Sequence, residues 1–364
     1  MSNENNNFFS ICFNMLKLRY SIYDESITSL DILKPTDKVN VFINLETAWK
    51  YLSTVKDLER KLLVDRSFKV TMISDIINVA AHYKEFFKNN GLDTKVYLYN
   101  TAFDSEIGAF NESMINEDFR SYYINKYNSN PKFVLLTEAL MEDVLPRVST
   151  LCEFIPDVYF INAKNVDSSM IPLVFAEQDK SRKNFVISGD RYETQFAFED
   201  NFVDHLYLRS YTNSSISCKL EEYVKAIFKT EMTNEEKELY TNRSFYVLLL
   251  ACLGDKYRSI DGVTGVSYKT ITKLLFQGLN ARIITKDTKS IDMIANIFSE
   301  DKRSEVIENF NALNMRESFE NLLIGTKKEI LLKAVDRSDL NGLMEMNRLI
   351  FNNDNQLHIE SLLR

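Results

Sequence analysis

Short runs of β-branched and aromatic residues alternate with helical patterns between residues 38 and 212. The strand-like runs lie at 38–45, 95–100, 157–162, 184–188 and 204–210. Apolar residues at helical spacing occur between them, at 69–89, within 133–154 and at 165–178. This alternation predicts an α/β fold with a mostly parallel sheet and helices on both of its faces.

The pattern changes after residue 212, where helical periods dominate to the end and no convincing strand is seen. Charge changes as well: residues 1–212 hold 23 Lys and Arg against 30 Asp and Glu, whereas residues 213–364 hold 21 against 22. We therefore predict an N-terminal extension at 1–37, an α/β domain at 38–212 and an all-helical domain at 213–364. Within the α/β domain, residues of about 101–131 form a polar and irregular segment.

Composition excludes several classes of protein. A net charge of −8 argues against a generally basic nucleic-acid binder, although a local basic patch is compatible with it. No apolar run approaches the ~20 residues that a membrane span needs, and the polar N-terminus lacks the basic region of a signal peptide. Four cysteines lie far apart without zinc-site spacing and are predicted to be reduced thiols: Cys12, Cys152, Cys218 and Cys252. These features predict a cytoplasmic protein that does not associate with a membrane.

The stretch at 254–275, GDKYRSIDGVTGVSYKTITKLL, lies in the most basic neighbourhood of the chain. Residues 255–289 carry seven basic against three acidic side chains. A helix at 236–253 is predicted to end at Gly254, and Gly262 and Gly265 permit a tight turn and close backbone approach. Ser267 can then cap the helix that follows, whose first N–H groups favour a phosphate.

Lys269 and Lys273 lie four residues apart on one face of that helix, where they can reinforce a phosphate contact. The predicted chemistry is a sequence-independent grip on a nucleic-acid backbone. The glycines alone support an alternative equally well, in which the stretch is only a packing joint between two helices.

This stretch resembles the helix-hairpin motif of the 5′-nuclease family, which includes flap endonucleases and 5′–3′ exonucleases with a PIN-like domain. The residues that match at the family's spacing are Gly254, Asp255, Ile260, Gly262, Val263, Gly265, Lys269, Thr270, Leu274 and Leu275. Weaker resemblances follow the family's order, in VFINLE (41–46), FRSYYINKYN (119–128), NVDSSMIPLV (165–174) and NFVISGDRYETQF (184–196). Residues 38–364 therefore resemble a divergent, phage-type member of that family.

The resemblance implies a PIN-like core, an arch region at about 101–131 and a helical domain that binds duplex or branched DNA. The DNA-binding residues that it implies are Gly262, Gly265, Ser267, Lys269, Thr270 and Lys273 of the hairpin, with Arg120 and Lys126 of the arch. It also implies a monovalent cation such as K⁺ at the hairpin turn. Replication or virion proteins are the protein partners that such a role would involve.

Most acidic metal ligands of the family are missing from this chain. The family works with two Mg²⁺ or Mn²⁺ ions about 3.5–4 Å apart, which converging carboxylates hold. Other residues stand at six of the ligand positions: Asn44, Asn100, Asn165, Ser168, Tyr192 and Arg258. Three acids remain, Asp167, Asp190 and Asp255. Asparagine removes the charge of an aspartate, Arg258 brings a cation to the site, and Tyr192 is bulky enough to fill a vacated pocket.

These losses predict a catalytically impaired relative that binds DNA without a metal cofactor, with Asp167, Asp190 and Asp255 serving as caps of helices and turns. Two alternatives stay open. One is an active Mg²⁺- or Mn²⁺-dependent nuclease whose site is rebuilt with Glu46, Glu193 or Asp261. The other is a structural or interaction protein that keeps only the fold, which the acidic first part of the chain favours.

Overall fold

The computed structural model describes residues 33–34, 37–45, 66–101, 140–163, 166–208, 215–217, 231–255 and 260–335, with a few residues between 341 and 348. Several residues of the sequence predictions lie outside these ranges: Cys12, Glu46, Arg120, Lys126, Asn165, Cys218 and Arg258. Most of the predicted N-terminal extension and of the arch region also lies outside them.

A six-stranded sheet forms the centre of the first part of the chain. Its strands are β1 (Lys38–Asn44), β2 (Asp93–Thr101), β3 (Val158–Ala163), β4 (Lys183–Ser188), β5 (Phe202–Leu208) and β6 (Ser215–Ser217). Their order in the sheet is β3-β2-β1-β4-β5-β6. The first five strands run parallel, and β6 is antiparallel to β5. The five predicted strands and the mostly parallel sheet are confirmed.

The prediction that no strand follows residue 212 is wrong, because β6 lies at Ser215–Ser217. Its three residues, SIS, are too few to show the two-residue period by which a strand is recognised in a sequence. The strand pairs with residues 206–208 of β5 and therefore extends the sheet beyond the predicted domain boundary.

Helices cover both faces of the sheet: α1 (Arg66–Asn89) and α2 (Leu145–Cys152), which a short π-helical turn precedes, and α3 (Met170–Gln178). Alternate residues of β1 point to opposite faces. Val41 and Ile43 pack in the apolar cluster that contains α1 and α2. Phe42 packs in the other cluster, which contains α3 and continues into the helical part of the chain. The predicted layers are thereby confirmed.

Seven helices lie within the described residues 231–335: α4 (Asn234–Leu239), α5 (Arg243–Leu253), α6 (Tyr268–Asn280), α7 (Ile291–Ala295), α8 (Glu300–Leu313), α9 (Met315–Glu320) and α10 (Ile324–Leu332). The prediction of a single helix at 236–253 is wrong, because the helix is interrupted at residues 240–242, between α4 and α5. Asn242 lies at the break, and its side chain accepts a hydrogen bond from the Ser244 N–H to cap α5. None of the described helices has the length and apolar character that crossing a membrane requires.

Gln195 joins the sheet region to the helical region. Its side-chain amide donates to the Leu313 carbonyl at 2.9 Å and accepts from the Met315 N–H at 3.2 Å. Glu199 adds ion pairs to Arg243 and Arg316. Cys152 and Cys252 are buried and free, which confirms the prediction of reduced thiols for these two residues.

Candidate functional site

The carboxyl ends of β1, β2 and β4 meet at one edge of the sheet, because these neighbouring strands are parallel. Asn44 ends β1, Asn100 lies at the end of β2, and Ser188 ends β4. All three side chains are buried. The structure therefore brings two of the predicted lost-ligand positions, Asn44 and Asn100, to the edge where the sequence placed them.

Glu193 occupies this edge. The Asn44 amide donates to Glu193 Oε1 at 3.0 Å, and the Tyr99 hydroxyl donates to Glu193 Oε2 at 2.9 Å. Ser188 also hydrogen-bonds to the Glu193 carboxyl group, which has no solvent exposure. Tyr192, which was expected to fill the vacated pocket, is buried in the apolar cluster shared with α5. The side chain that reaches Asn44 is that of Glu193.

Burial, and after it the nearby carboxylate of Asp190, raise the pKa of Glu193 to about 8, although the three hydrogen bonds act in the opposite direction. Glu193 is therefore mainly neutral at pH 7. A buried carboxyl group in the neutral form avoids most of the desolvation penalty that a carboxylate would carry there.

Two of the residual acids stabilise turns. Asp190 Oδ1 accepts from the Tyr192 N–H at 3.0 Å, at the start of the 3₁₀ helix Tyr192–Phe198. Asp167 Oδ1 accepts from the Ser169 N–H at 2.9 Å, just before α3. The expectation that these acids cap turns is confirmed for both residues. Asp255 lies at the base of the hairpin, where its backbone exchanges two hydrogen bonds with Ile260.

The described residues at the sheet edge do not fit a two-metal centre. Mg²⁺ requires several oxygen ligands in an octahedral arrangement. Asn44 directs its N–H group at Glu193, and Asp190 Oδ1 is engaged with a backbone N–H. Within the part of the chain that the structure describes, no group of three or more His, Cys, Asp and Glu side chains is arranged to hold a metal ion.

The hairpin between α5 and α6 depends on two glycines. Gly254 ends α5 with φ 69°, and a Cβ atom there would lie 2.3 Å from the Gly262 nitrogen. A Cβ atom on Gly262 would lie 2.8 Å from the Leu253 carbonyl oxygen. Gly262 therefore lets the hairpin lie against the end of α5, where the Val263 N–H donates to the Cys252 carbonyl.

Beyond Gly262, the hairpin turns outward and forms an exposed surface. Gly265 has φ 74° and is exposed. Ser267 begins α6, and its hydroxyl accepts from the Thr270 N–H at 3.3 Å, which confirms the predicted cap. Lys269 and Lys273 are exposed, on the side of α6 opposite to its buried residues. Four of the predicted hairpin residues, Gly265, Ser267, Lys269 and Lys273, are thus exposed along this segment, whereas Gly262 packs against the end of α5.

The sequence analysis did not predict the hydrogen bonds that two side chains of α8 donate to this hairpin. Lys302 Nζ donates to the Thr264 carbonyl at 2.9 Å. Asn309 Nδ2 donates to the Asp261 carbonyl at 2.9 Å and to the Ala251 carbonyl at 3.2 Å. Lys302 and Asn309 are 38 and 48 residues from their hairpin partners, and no local pattern marks contacts of that kind.

No protein-family model and no curated protein matches this chain. Solved structures similar to it include the flap endonuclease of bacteriophage T5 in a pseudo-enzyme–product complex with DNA and metal ions. That match has 13% identity and a TM-score of 0.44, and it covers 81% of this chain and 98% of the other. The T5 5′-exonuclease with bound zinc has 12% identity and a TM-score of 0.42, and the match covers 85% of this chain and 98% of the other. The catalytic core of Rad2 with a DNA substrate has 11% identity and a TM-score of 0.37, and the match covers 86% of this chain and 89% of the other.

Proposed function

We propose that this protein binds duplex or branched DNA without sequence preference, through the hairpin and α6, and that it does not carry out efficient two-metal hydrolysis. The observation that carries the proposal is the surface formed by Gly265, Ser267, Lys269 and Lys273. The first N–H groups of α6 have no partner within the helix, and its first two turns carry two exposed lysines, Lys269 and Lys273. A phosphate backbone satisfies both kinds of group.

The sheet edge supports the second half of the proposal. A two-metal mechanism needs carboxylates that stay ionised and converge on the ions. Here the carboxyl group at the centre, Glu193, is buried, mainly neutral at pH 7 and hydrogen-bonded to Asn44 and Tyr99. An accessory role in DNA replication or recombination, in the cytoplasm of a phage-infected host, would suit a DNA-binding protein of this kind.

One observation favours a second candidate, a nuclease with a rebuilt site. Glu193 and Asp190 are neighbouring acids at the same sheet edge, and loss of the Glu193 proton would create a negatively charged pair. This candidate predicts metal-dependent cleavage that Asp190→Ala abolishes.

Binding to a fluorescent 5′-flap DNA, in EDTA and then in Mg²⁺ or Mn²⁺ over a salt series, tests both candidates. We expect affinity to fall steeply with salt, since phosphate contacts release counterions. We expect Lys269→Ala with Lys273→Ala to weaken binding about tenfold and to reduce the salt slope by about two. The control Lys180→Ala with Lys328→Ala removes the same charge from exposed positions elsewhere and should bind as the wild type does.

Each contrary outcome identifies a different error. Cleavage of the flap that requires a metal and Asp190 would replace the proposal by the nuclease. Equal losses in the two double variants would show that only total charge matters. Absence of binding at low salt would leave the hairpin as a packing joint, and the fold would then serve protein partners.

A further inference from the structure

Four carbonyl groups of the hairpin already accept hydrogen bonds from donors of the protein. An exchangeable K⁺ ion at this turn would need several oxygen ligands from the loop, since cations of this kind bind oxygen. The four hydrogen-bonded carbonyls are among the five from Ile260 to Thr264. The pairs are Ile260 with the Asp255 N–H at 2.8 Å, Asp261 with Asn309 Nδ2 at 2.9 Å, Val263 with the Val266 N–H at 3.1 Å, and Thr264 with Lys302 Nζ at 2.9 Å.

The donor at Thr264 is itself a cation. An ammonium group next to a carbonyl oxygen takes the place that a monovalent ion would need, and its positive charge would repel such an ion. The residues present therefore do not fit an exchangeable ion at the Thr264 carbonyl. The positive charge at this turn comes from the chain.

Lys302 keeps donors for a ligand. An ammonium group has three N–H donors, and the hydrogen bond to Thr264 uses one of them. Lys302 forms no ion pair with any carboxylate of the described residues. Gly265 leaves the space beside it open, since even an added Cβ atom would lie 3.8 Å from Lys302 Nζ, and both Thr264 and Gly265 are exposed.

We propose that Lys302 is the built-in cation of the hairpin: it substitutes for an exchangeable monovalent ion and binds a DNA phosphate beside Gly265. The inference rests on the proposed DNA binding and adds a residue from outside the helix-hairpin motif to that surface. Asn309, seven residues later on α8, contacts Asp261 and Ala251 and so fixes the position of α8 against the hairpin. It acts as a positioning residue.

The test measures the dissociation constant for the 5′-flap DNA in KCl, NaCl and tetramethylammonium chloride at equal ionic strength. Tetramethylammonium is too large for a carbonyl-lined ion site. We expect the wild type to bind equally, within about twofold, in the three salts. Lys302→Met should weaken binding about fivefold or more and reduce the salt slope by about one, whereas Lys302→Arg should keep most of the affinity.

Lys328→Met is the matched control, since Lys328 is an exposed lysine on α10. Thermal unfolding of each variant separates lost contact from lost fold, and the salt comparison on the wild type decides even if Lys302→Met does not fold. Binding that needs K⁺ would overturn this inference while the proposed function stands. A folded Lys302→Met that binds as Lys328→Met does would overturn it as well. No binding by the wild type in any salt would overturn both.

Discussion

The sheet edge and the hairpin handle polar groups in opposite ways. At the sheet edge, Asn44, Tyr99 and Ser188 hydrogen-bond to the carboxyl group of Glu193, which has no solvent-exposed surface. At the hairpin, Lys269 and Lys273 remain exposed, and side chains of α8 donate hydrogen bonds to the loop carbonyls. One region satisfies its polar groups internally, whereas the other keeps donors available for a ligand.

The difference follows from the free energy of charge burial. A carboxylate removed from water is strongly penalised unless it is paired or neutralised, and a site without metal ions has no cations to pair with several acids. Asparagine and a neutral Glu193 remove that penalty at the sheet edge. Exposed lysines keep their hydration and carry no such penalty, so a binding surface can keep its charge.

Gly254→Ala should have the largest effect, because the shape of the hairpin depends on this residue. An added Cβ would lie 2.3 Å from the Gly262 nitrogen at a position with φ 69°. Both the strain and the contact oppose folding, so we expect a loss of more than about 4 kcal/mol in the free energy of unfolding, or no folded protein. Denaturant unfolding measures this loss.

Gly325→Ala is its matched control. Gly325 lies in α10, and an added Cβ would meet nothing within 4 Å. Alanine in a helix is favoured over glycine, so the control should be neutral or stabilising by about 0.5–1 kcal/mol. Equal effects of the two substitutions would show that the hairpin does not need the close backbone contact.

Asn44→Asp restores an aspartate at the sheet edge and should destabilise the protein by about 3 kcal/mol at pH 8. The substitution replaces a donor to Glu193 by a second carboxyl group in a buried place. The loss should be smaller at pH 5, where the pair can hold a proton. Asn78→Asp, at an exposed position on α1, is the control. A loss of stability no larger than that of the control would contradict a buried hydrogen bond between Asn44 and Glu193.

Glu193→Gln should change the pH dependence of stability. The raised pKa of Glu193, about 8 against an ordinary 4.5, means that the folded state holds a proton which the unfolded state releases. Its contribution to stability is therefore complete below pH 4.5 and is lost as the pH rises through about 8. Between pH 6 and 8.5, the stability of the wild type should fall relative to that of Glu193→Gln by up to about 2 kcal/mol. Parallel pH profiles would show that Glu193 is ionised when folded.

Local signals in the sequence were sufficient for much of this structure. The five parallel strands begin and end within two residues of their predicted bounds. The cap at Ser267 and the end of α5 at Gly254 were also predicted, because capping and left-handed glycine are properties of a few adjacent residues.

What the sequence did not reveal depends on contacts between distant residues. Glu193 lies 149 residues from Asn44, and Lys302 lies 38 residues from Thr264. Neither residue type stands out locally, since an isolated Glu or Lys is ordinarily a solvated surface residue. The sequence names Glu193 only as one possible ligand of a rebuilt site. Its hydrogen bonds to Asn44 and Tyr99 depend on the sheet order, and the contact of Lys302 depends on the packing of α8.

Ser267→Ala should have the smallest effect and separates the shape of the hairpin surface from its charge. The Ser267 hydroxyl accepts from the Thr270 N–H, and its loss should cost about 1 kcal/mol in stability. Ser290→Ala is the control, because Ser290 precedes α7 without a side-chain cap and should lose less. If the first turn of α6 binds phosphate, Ser267→Ala should also weaken DNA binding about twofold to fivefold at an unchanged salt slope, because no charge is removed. Unchanged affinity would place the DNA contact on the lysines alone.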